Sequence, residues 1–314
     1  MKHKPLIALL TLICCTLTAF ALRARVQTPD LTGEIESGGI KRTFLVHLPA
    51  SPPKGKPLPL VLALHGGGGQ GKGINKLTGL NELADRQNFI VVYPDGIDRN
   101  WNDGRSTVRR KDVDDVKFLS ELIDHLAKSY SIDRQRVYAT GISNGGMMSL
   151  RLACELSEKI AAVASIAANL PAELQPRCRP ARPVSVMMIS GTDDPLMPFG
   201  GGDIATMGGR GMGGKVTSAQ ETTDFWVKQN RTAAKPVVTE LPDVDPNDGT
   251  RARRAVFSKG AQGSEVIFYT ITNGGHTWPG GFQYLGEAII GKTSRDLNAS
   301  ETALEFFLRH KRTP

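Results

Sequence analysis

Five consecutive residues, Gly141-Ile142-Ser143-Asn144-Gly145, fit the pattern G-x-S-x-G. The apolar stretch Val137-Tyr138-Ala139 precedes them, and the helix-forming run Gly146 to Leu152 follows. A sharp strand-to-helix turn pushes its serine out of the backbone, where a substrate carbonyl can reach it. Gly141 and Gly145 leave room for that turn, and the new helix aims its partial positive charge at negative charge forming nearby. Ser143 is therefore the candidate nucleophile of an acyl-transfer reaction.

A serine hydroxyl is a weak nucleophile and needs a base. Beyond the N-terminal segment the histidines are His47, His65, His125, His276 and His310. His47 falls inside a strand pattern, and His125 and His310 fall on polar helix faces, which suits structural or solvated roles. His276 lies in the Gly-rich loop Asn273 to Gly280, directly after an apolar strand, and is the candidate base. A carboxylate must then orient the imidazole. Gly191-Thr192-Asp193-Asp194-Pro195 offers two, with Asp194 the first choice, Asp193 the alternative, and the remaining one capping the turn. Negative charge on the attacked carbonyl needs donors. The backbone N–H of Asn144 supplies one, and the Gly66-Gly67-Gly68-Gly69 loop supplies another at Gly67, with Gly66 close by. His65 braces that loop. His65, Trp101 and Trp278 are the candidate substrate contacts, the tryptophans as stacking platforms or as packing. No Gly-Lys-Ser or Gly-Lys-Thr follows the Gly run, so the pattern gives a phosphate-cradling reading little support. No metal-ligand set is present, and no cofactor is expected.

The elements that must hold these residues read as follows. Continuous apolar runs at Leu60–Leu64, Phe89–Tyr93, Ile160–Ala167 and Pro183–Ile189 predict buried strands, with further strands at 40–48, 136–140, 251–258 and 265–271. Helical periodicity predicts helices over 75–87, 114–128, 144–156, 218–228 and 299–309. Alternating strands and helices predict an α/β fold with a mostly parallel central sheet and helices on both faces. Right-handed crossovers then gather the strand ends on one edge, and each motif above lies at such an end. The order Ser143, Asp194, His276 is that of the α/β-hydrolase fold. Phe199 to Lys215, rich in Gly with Met207 and Met212, reads equally as a lid or a surface loop.

The chain has 314 residues, and its 40% hydrophobic and 22% charged content is that of a globular protein. Lys2 and Lys4 precede the apolar run Leu6 to Phe20, which is shorter than the roughly 20 residues that span a bilayer. Ala19-Phe20-Ala21 then offers a cleavage site. Residues 1–21 are expected to be a signal peptide and 22–314 one domain, secreted or periplasmic, with no stable membrane insertion after cleavage. Cleavage removes Lys2 and Lys4 and no acid, so the net charge of +8 becomes +6. The basic residues fall in short scattered runs, and Phe, Tyr and Trp make up only 6% of the chain, so nucleic acid is not an expected partner. Cys154 and Cys178 remain, and an even pair in an exported chain predicts one disulfide.

The chain resembles the exported polyhydroxybutyrate depolymerase/feruloyl esterase family of carbohydrate-esterase-like hydrolases. The resemblance rests on Leu64-His65-Gly66-Gly67, Tyr93-Pro94-Asp95-Gly96 with Trp101-Asn102, Val113-Asp114-Asp115-Val116, Gly141 to Gly146, Gly191 to Pro195 with Pro198, Asp245 to Gly249, and Gly274 to Gly280. It implies Ser143, Asp194 and His276 as a triad and a Cys154–Cys178 bridge. It also implies a secreted serine esterase acting on feruloyl or acetyl esters of plant polysaccharide, or on hydroxyalkanoate oligomers. Two further readings stand beside it, a peptidase of the same fold and a catalytically silent binding protein on this fold. The 199–215 loop departs from the family pattern, and no appended carbohydrate- or polymer-binding domain is evident, which favours soluble esters or oligomers.

Overall fold

The computed structural model describes residues 28–108, 110–206 and 213–313. The expected signal peptide and its cleavage site lie outside the described residues, as do Met207 and Met212. The strands are β1 (Leu31–Ser37), β2 (Ile40–His47), β3 (Leu58–Leu64), β4 (Ile90–Pro94), β5 (Ile132–Ile142), β6 (Ala162–Ile166), β7 (Ser185–Gly191), β8 (Gly202–Asp203), β9 (Lys215–Val216), β10 (Val237–Glu240), β11 (Arg251–Phe257) and β12 (Val266–Thr272). The helices are α1 (Gly71–Thr78), α2 (Leu80–Gln87), α3 (Asp115–Ser129), α4 (Asn144–Glu155), α5 (Ala219–Asn230), α6 (Glu287–Ile290) and α7 (Ala299–Leu308).

Ten strands form one sheet in the order β1-β2-β4-β3-β5-β6-β7-β12-β11-β10. Its centre, from β4 to β12, is parallel, and antiparallel strands extend both edges. The central strands are unbroken apolar runs because both faces are covered. Leu60, Leu62 and Leu64 pack on one side against residues of α3, α4 and α5, such as Phe118, Leu152 and Trp226. Val61 and Ala63, one residue out of phase, pack on the other side against α1, α2 and α7 through Ile74, Leu83 and Phe306. This is the α/β-hydrolase fold that the sequence pattern implies. Because β3 to β7 and β12 run the same way, their carboxyl ends share one edge, and the catalytic candidates leave from it.

Three departures from the sequence reading have local causes. The helix expected over 75–87 is two helices, because Gly79 adopts a left-handed conformation at φ 60° and ends the first of them. β5 begins at Ile132, ahead of the expected Arg136, since its charged first half lies only partly buried and carries no apolar signal. β10 is exposed at all four positions, so it has no buried face for a pattern to report. Asp114 caps α3 by accepting from the Lys117 amide, and Ser218 and Glu221 form a capping box on α5.

The Cys154–Cys178 disulfide forms, with 4.8 Å between the Cα atoms. It ties α4, the helix behind Ser143, to the segment leading into β7. Among the described residues no helix is long and apolar enough to cross a membrane.

Candidate active site

Ser143 sits between β5 and α4 with φ 57° and ψ −121°. A non-glycine residue in that sparse region carries about 1–3 kcal/mol of strain, held in place by its surroundings. The Ser143 amide donates to the Ile166 carbonyl at 3.0 Å, clamping the turn to β6. A methyl group at Gly145 would come within 2.2 Å of the Leu64 carbonyl oxygen, so the helix can start this close to β3 only with glycine there.

His276 follows β12, and its Nδ1 lies 2.7 Å from Asp194 Oδ2, after β7. Both side chains are buried. The other Asp194 oxygen accepts from the Leu196 and Met197 amides at 2.8 and 2.7 Å, so the carboxylate is locked in one orientation. Asp193 is not brought to the imidazole; it is exposed and accepts from the Thr192 hydroxyl. The Tyr284 hydroxyl donates to the His276 carbonyl at 2.6 Å and pins the loop. Nothing in the sequence around Tyr284 signals this contact.

His65 is 1% exposed. Its Nδ1 faces the Gly66 carbonyl at 2.8 Å, and its Nε2 accepts from the Gly96 amide at 2.9 Å. Burial pushes the imidazole below its ordinary value, against the pull of the Gly66 carbonyl and Asp95. It is thus a neutral brace for the glycine loop, at the floor of the cavity. Gly67 approaches Asn144, since a methyl on it would meet the Asn144 Cβ at 3.8 Å. Among the described residues, neither the Gly67 nor the Asn144 backbone N–H has an acceptor within the chain.

Of the two readings open for the tryptophans, stacking platform or packing, both side chains are placed as packing. Trp101 is 0% and Trp278 1% exposed, and neither lines the large cavity. Trp101 packs on the His65 ring at 4.8 Å and donates from Nε1 to the His65 carbonyl. Trp278 donates to the Ser300 hydroxyl. Their apolar bulk is worth more in the core than at a surface. The Asp245–Gly249 motif also serves structure: Asp248 accepts from the Thr250 and Arg295 amides and staples two loops. Among the described residues no group of His, Cys, Asp or Glu is placed to hold a metal ion.

A cavity of about 860 Å³ opens over this edge. Ser143, Asn144, His276, His65 and Gly66 to Gly69 line it, together with the apolar Leu77, Met147, Met197, Ile204, Phe282 and Leu285. Ile204, Ala205 and Gly213 in the lining bring the 199–215 loop into the wall, which the sequence left open.

A second Ser–His–carboxylate arrangement occurs elsewhere. Ser185 Oγ lies 3.2 Å from His310 Nδ1, and His310 Nε2 lies 2.9 Å from Glu265 Oε1. Ser185 is at the amino end of β7, and its Oγ also accepts from the Glu265 amide. The adjoining space is only about 20 Å³.

Residues 35–253 match the model of the family described as "Putative esterase". A protein of Nocardia uniformis subsp. tsuyamanensis, "Putative esterase NocK", is 34% identical over 284 residues, covering 88% of this chain and 81% of that one. "Feruloyl esterase B" of Piromyces equi is 28% identical over 75% of this chain, which spans 42% of its length. "Poly(3-hydroxyalkanoate) depolymerase C" of Paucimonas lemoignei is 27% identical over 74% of this chain and 58% of its own. Among solved structures, an acetyl xylan esterase from Aspergillus awamori superposes with a TM-score of 0.55 at 14% identity, over 79% of this chain and 94% of that one. At that identity the likeness speaks for the fold alone.

Proposed function

The chain belongs to this esterase family and is a serine hydrolase acting on carboxylic ester bonds, and we propose that Ser143, His276 and Asp194 carry the chemistry. The observation that carries this reading is the buried 2.7 Å contact between His276 Nδ1 and Asp194 Oδ2, on the cavity that Ser143 lines. Asp194 holds the imidazole with Nδ1 protonated, which leaves Nε2 free to accept. His276 takes the Ser143 hydroxyl proton as Oγ attacks the ester carbonyl. The oxyanion is met by the N–H groups of Asn144 and Gly67. His276 then protonates the departing alkoxide, leaving an acyl-serine. A water, deprotonated by His276, attacks that acyl group. The acid is released and the serine regains its proton.

The Ser185–His310–Glu265 arrangement lacks what this chemistry needs. Its serine is 3% exposed, its oxygen is already engaged by a backbone amide, and the adjoining space does not admit an acyl group. It acts as a clasp for the chain after α7, where Tyr138 also donates to the His310 carbonyl.

The substrate is an ester larger than an acetate of a small alcohol, because apolar walls enclose room for an aryl or short oligomeric acyl group. Feruloyl or acetyl esters of plant polysaccharide and hydroxyalkanoate oligomers fit the names of the relatives. Residues 1–21 act as a signal peptide, 22–314 form one domain, and the enzyme works outside the cytoplasm. The disulfide supports that location, since such bridges persist in oxidising compartments. The test compares wild type, Ser143→Ala and Ser185→Ala on feruloyl, acetyl-xylan and hydroxybutyrate-oligomer esters and on a peptide. Loss of ester hydrolysis in Ser143→Ala alone is expected, whereas undiminished hydrolysis by that variant refutes the reading.

A further inference from the structure

Behind Asn144 lies a buried polar chain that the mechanism does not use. The Asn144 side chain donates to the Trp101 carbonyl at 3.0 Å and to Asp103 Oδ2 at 2.6 Å, and accepts from the Trp101 amide at 2.7 Å. Asp103, 0% exposed, is gripped by Arg105 through Nε, at 3.0 Å to each oxygen, and through a second nitrogen at 2.7 Å. The remaining arm of the Arg105 guanidinium donates to the Gly213 carbonyl. Gly213 belongs to the cavity wall, with Ile204 and Ala205, and the Ile204 amide donates to the Gly214 carbonyl at 2.8 Å. The ion pair therefore does more than neutralise itself: one end reaches the residue after the nucleophile, and the other reaches the wall over the cavity.

We infer that Arg105 is a positioning residue that couples the seating of the wall formed by Ile204, Ala205 and Gly213 to the geometry of the oxyanion hole. The inference rests on the proposed role of Asn144. A planar guanidinium suits the task because its fork is rigid: tilting it toward Gly213 must swing its grip on Asp103. Asp103 in turn fixes the Asn144 amide, and Asn144 supplies the backbone N–H that meets the oxyanion. The Trp101 backbone held by Asn144 belongs to the residue that packs on His65, so the Gly67 side of the hole is braced from the same segment. An acyl group that presses the wall into place thereby tightens the hole. This predicts an effect on the chemical step from residues that need not touch the reacting atoms.

Two variants test this from opposite ends. Arg105→Lys keeps a cation near Asp103 but removes the fork. Gly214→Ala changes no side chain of the relay itself; its added methyl, on backbone held at φ 91°, would fall 2.8 Å from Thr107 Oγ1 and 3.0 Å from Arg105 Cδ, pushing the wall away from the guanidinium. With 4-nitrophenyl butyrate, kcat is expected to fall about 10- to 100-fold in each while KM changes less than about threefold. Binding of an alkyl boronic acid, whose serine adduct places an oxygen in the hole, should weaken in parallel. Melting temperatures verify folding, and Gly214→Ala retains the test if Arg105→Lys does not fold. A kcat within twofold of wild type in Gly214→Ala, or a change confined to KM, overturns the coupling. A fluorophosphonate adduct on Ser143 in all the proteins keeps such a result specific to the coupling. Absence of that adduct in the wild type overturns the site assignment and the coupling with it.

Discussion

His276 Nδ1 and Asp194 Oδ2 stand 2.7 Å apart, with the two side chains 5% and 2% exposed. Asp194 spends its other oxygen on two backbone amides, so it cannot swing away from the imidazole. Exchange of this carboxylate for an amide keeps the shape but lets the histidine hold the wrong tautomer. Asp194→Asn is therefore expected to lower kcat by roughly 10³- to 10⁴-fold with little change in melting temperature. Asp193→Asn should stay close to wild type, as Asp193 is exposed and bonded to Thr192. Steady-state kinetics of the two variants separate the adjacent aspartates, and the reverse ranking would assign the role to Asp193.

His65 should give the fold an acid-sensitive point. Folding holds its imidazole below the ordinary value of 6.5, chiefly through burial. Below that value the unfolded chain carries more protons at this site than the folded one, so stability falls as pH falls. The contribution is complete above about 6.5 and is lost progressively toward the lower, folded value. Protonated Nε2 would also present an N–H to the Gly96 amide that now donates to it. Urea unfolding at pH 8, 6 and 5 should show a shallower acid decline for His65→Gln, from a lower starting stability. Equal slopes in variant and wild type would contradict this.

The Arg42–Asp115 pair is buried at 1% exposure on both sides, with 2.6 Å between Nη2 and Oδ1. It joins β2 to the start of α3, and Asp115 also holds the Asn102 amide beneath the active-site segment. Removal of one partner strands a buried charge, so Arg42→Met is expected to cost about 3–5 kcal/mol. The double variant Arg42→Met/Asp115→Leu should recover part of that loss. Chemical denaturation of the single and double variants measures the difference.

Loss of the disulfide should act mainly on the unfolded chain. Replacing Cys154 and Cys178 by alanine opens a loop set by a sequence separation of 24. The expected cost is about 3 kcal/mol, read as a lower denaturation midpoint. Activity per folded molecule should persist, because the bridge lies at the far end of α4 from Ser143.

Much of this arrangement was legible because it is local. The G-x-S-x-G turn, the apolar runs of β3 and β4 and the Gly-rich loop of His276 each announce themselves within a few residues. The disulfide was legible from the parity of two cysteines. What escaped depends on distant partners or on exposed backbone. Trp101 and Trp278 carry a substrate platform's side chain, but burial is decided by the His65 ring and by Ser300 far along the chain. Tyr284 has no pattern around it, since its partner is a backbone carbonyl. The Asp103–Arg105 pair belongs to no motif, and only the fold shows that it is enclosed between α4 and the cavity wall.

Covalent labelling identifies the reactive serine, here assigned to Ser143. Wild type, Ser143→Ala and Ser185→Ala are treated with a fluorophosphonate and digested, and the adduct is located by mass spectrometry. We expect one adduct on Ser143 in the wild type and in Ser185→Ala, and none in Ser143→Ala. An adduct on Ser185, or labelling that survives Ser143→Ala, would place the nucleophile elsewhere and refute the assignment of Ser143.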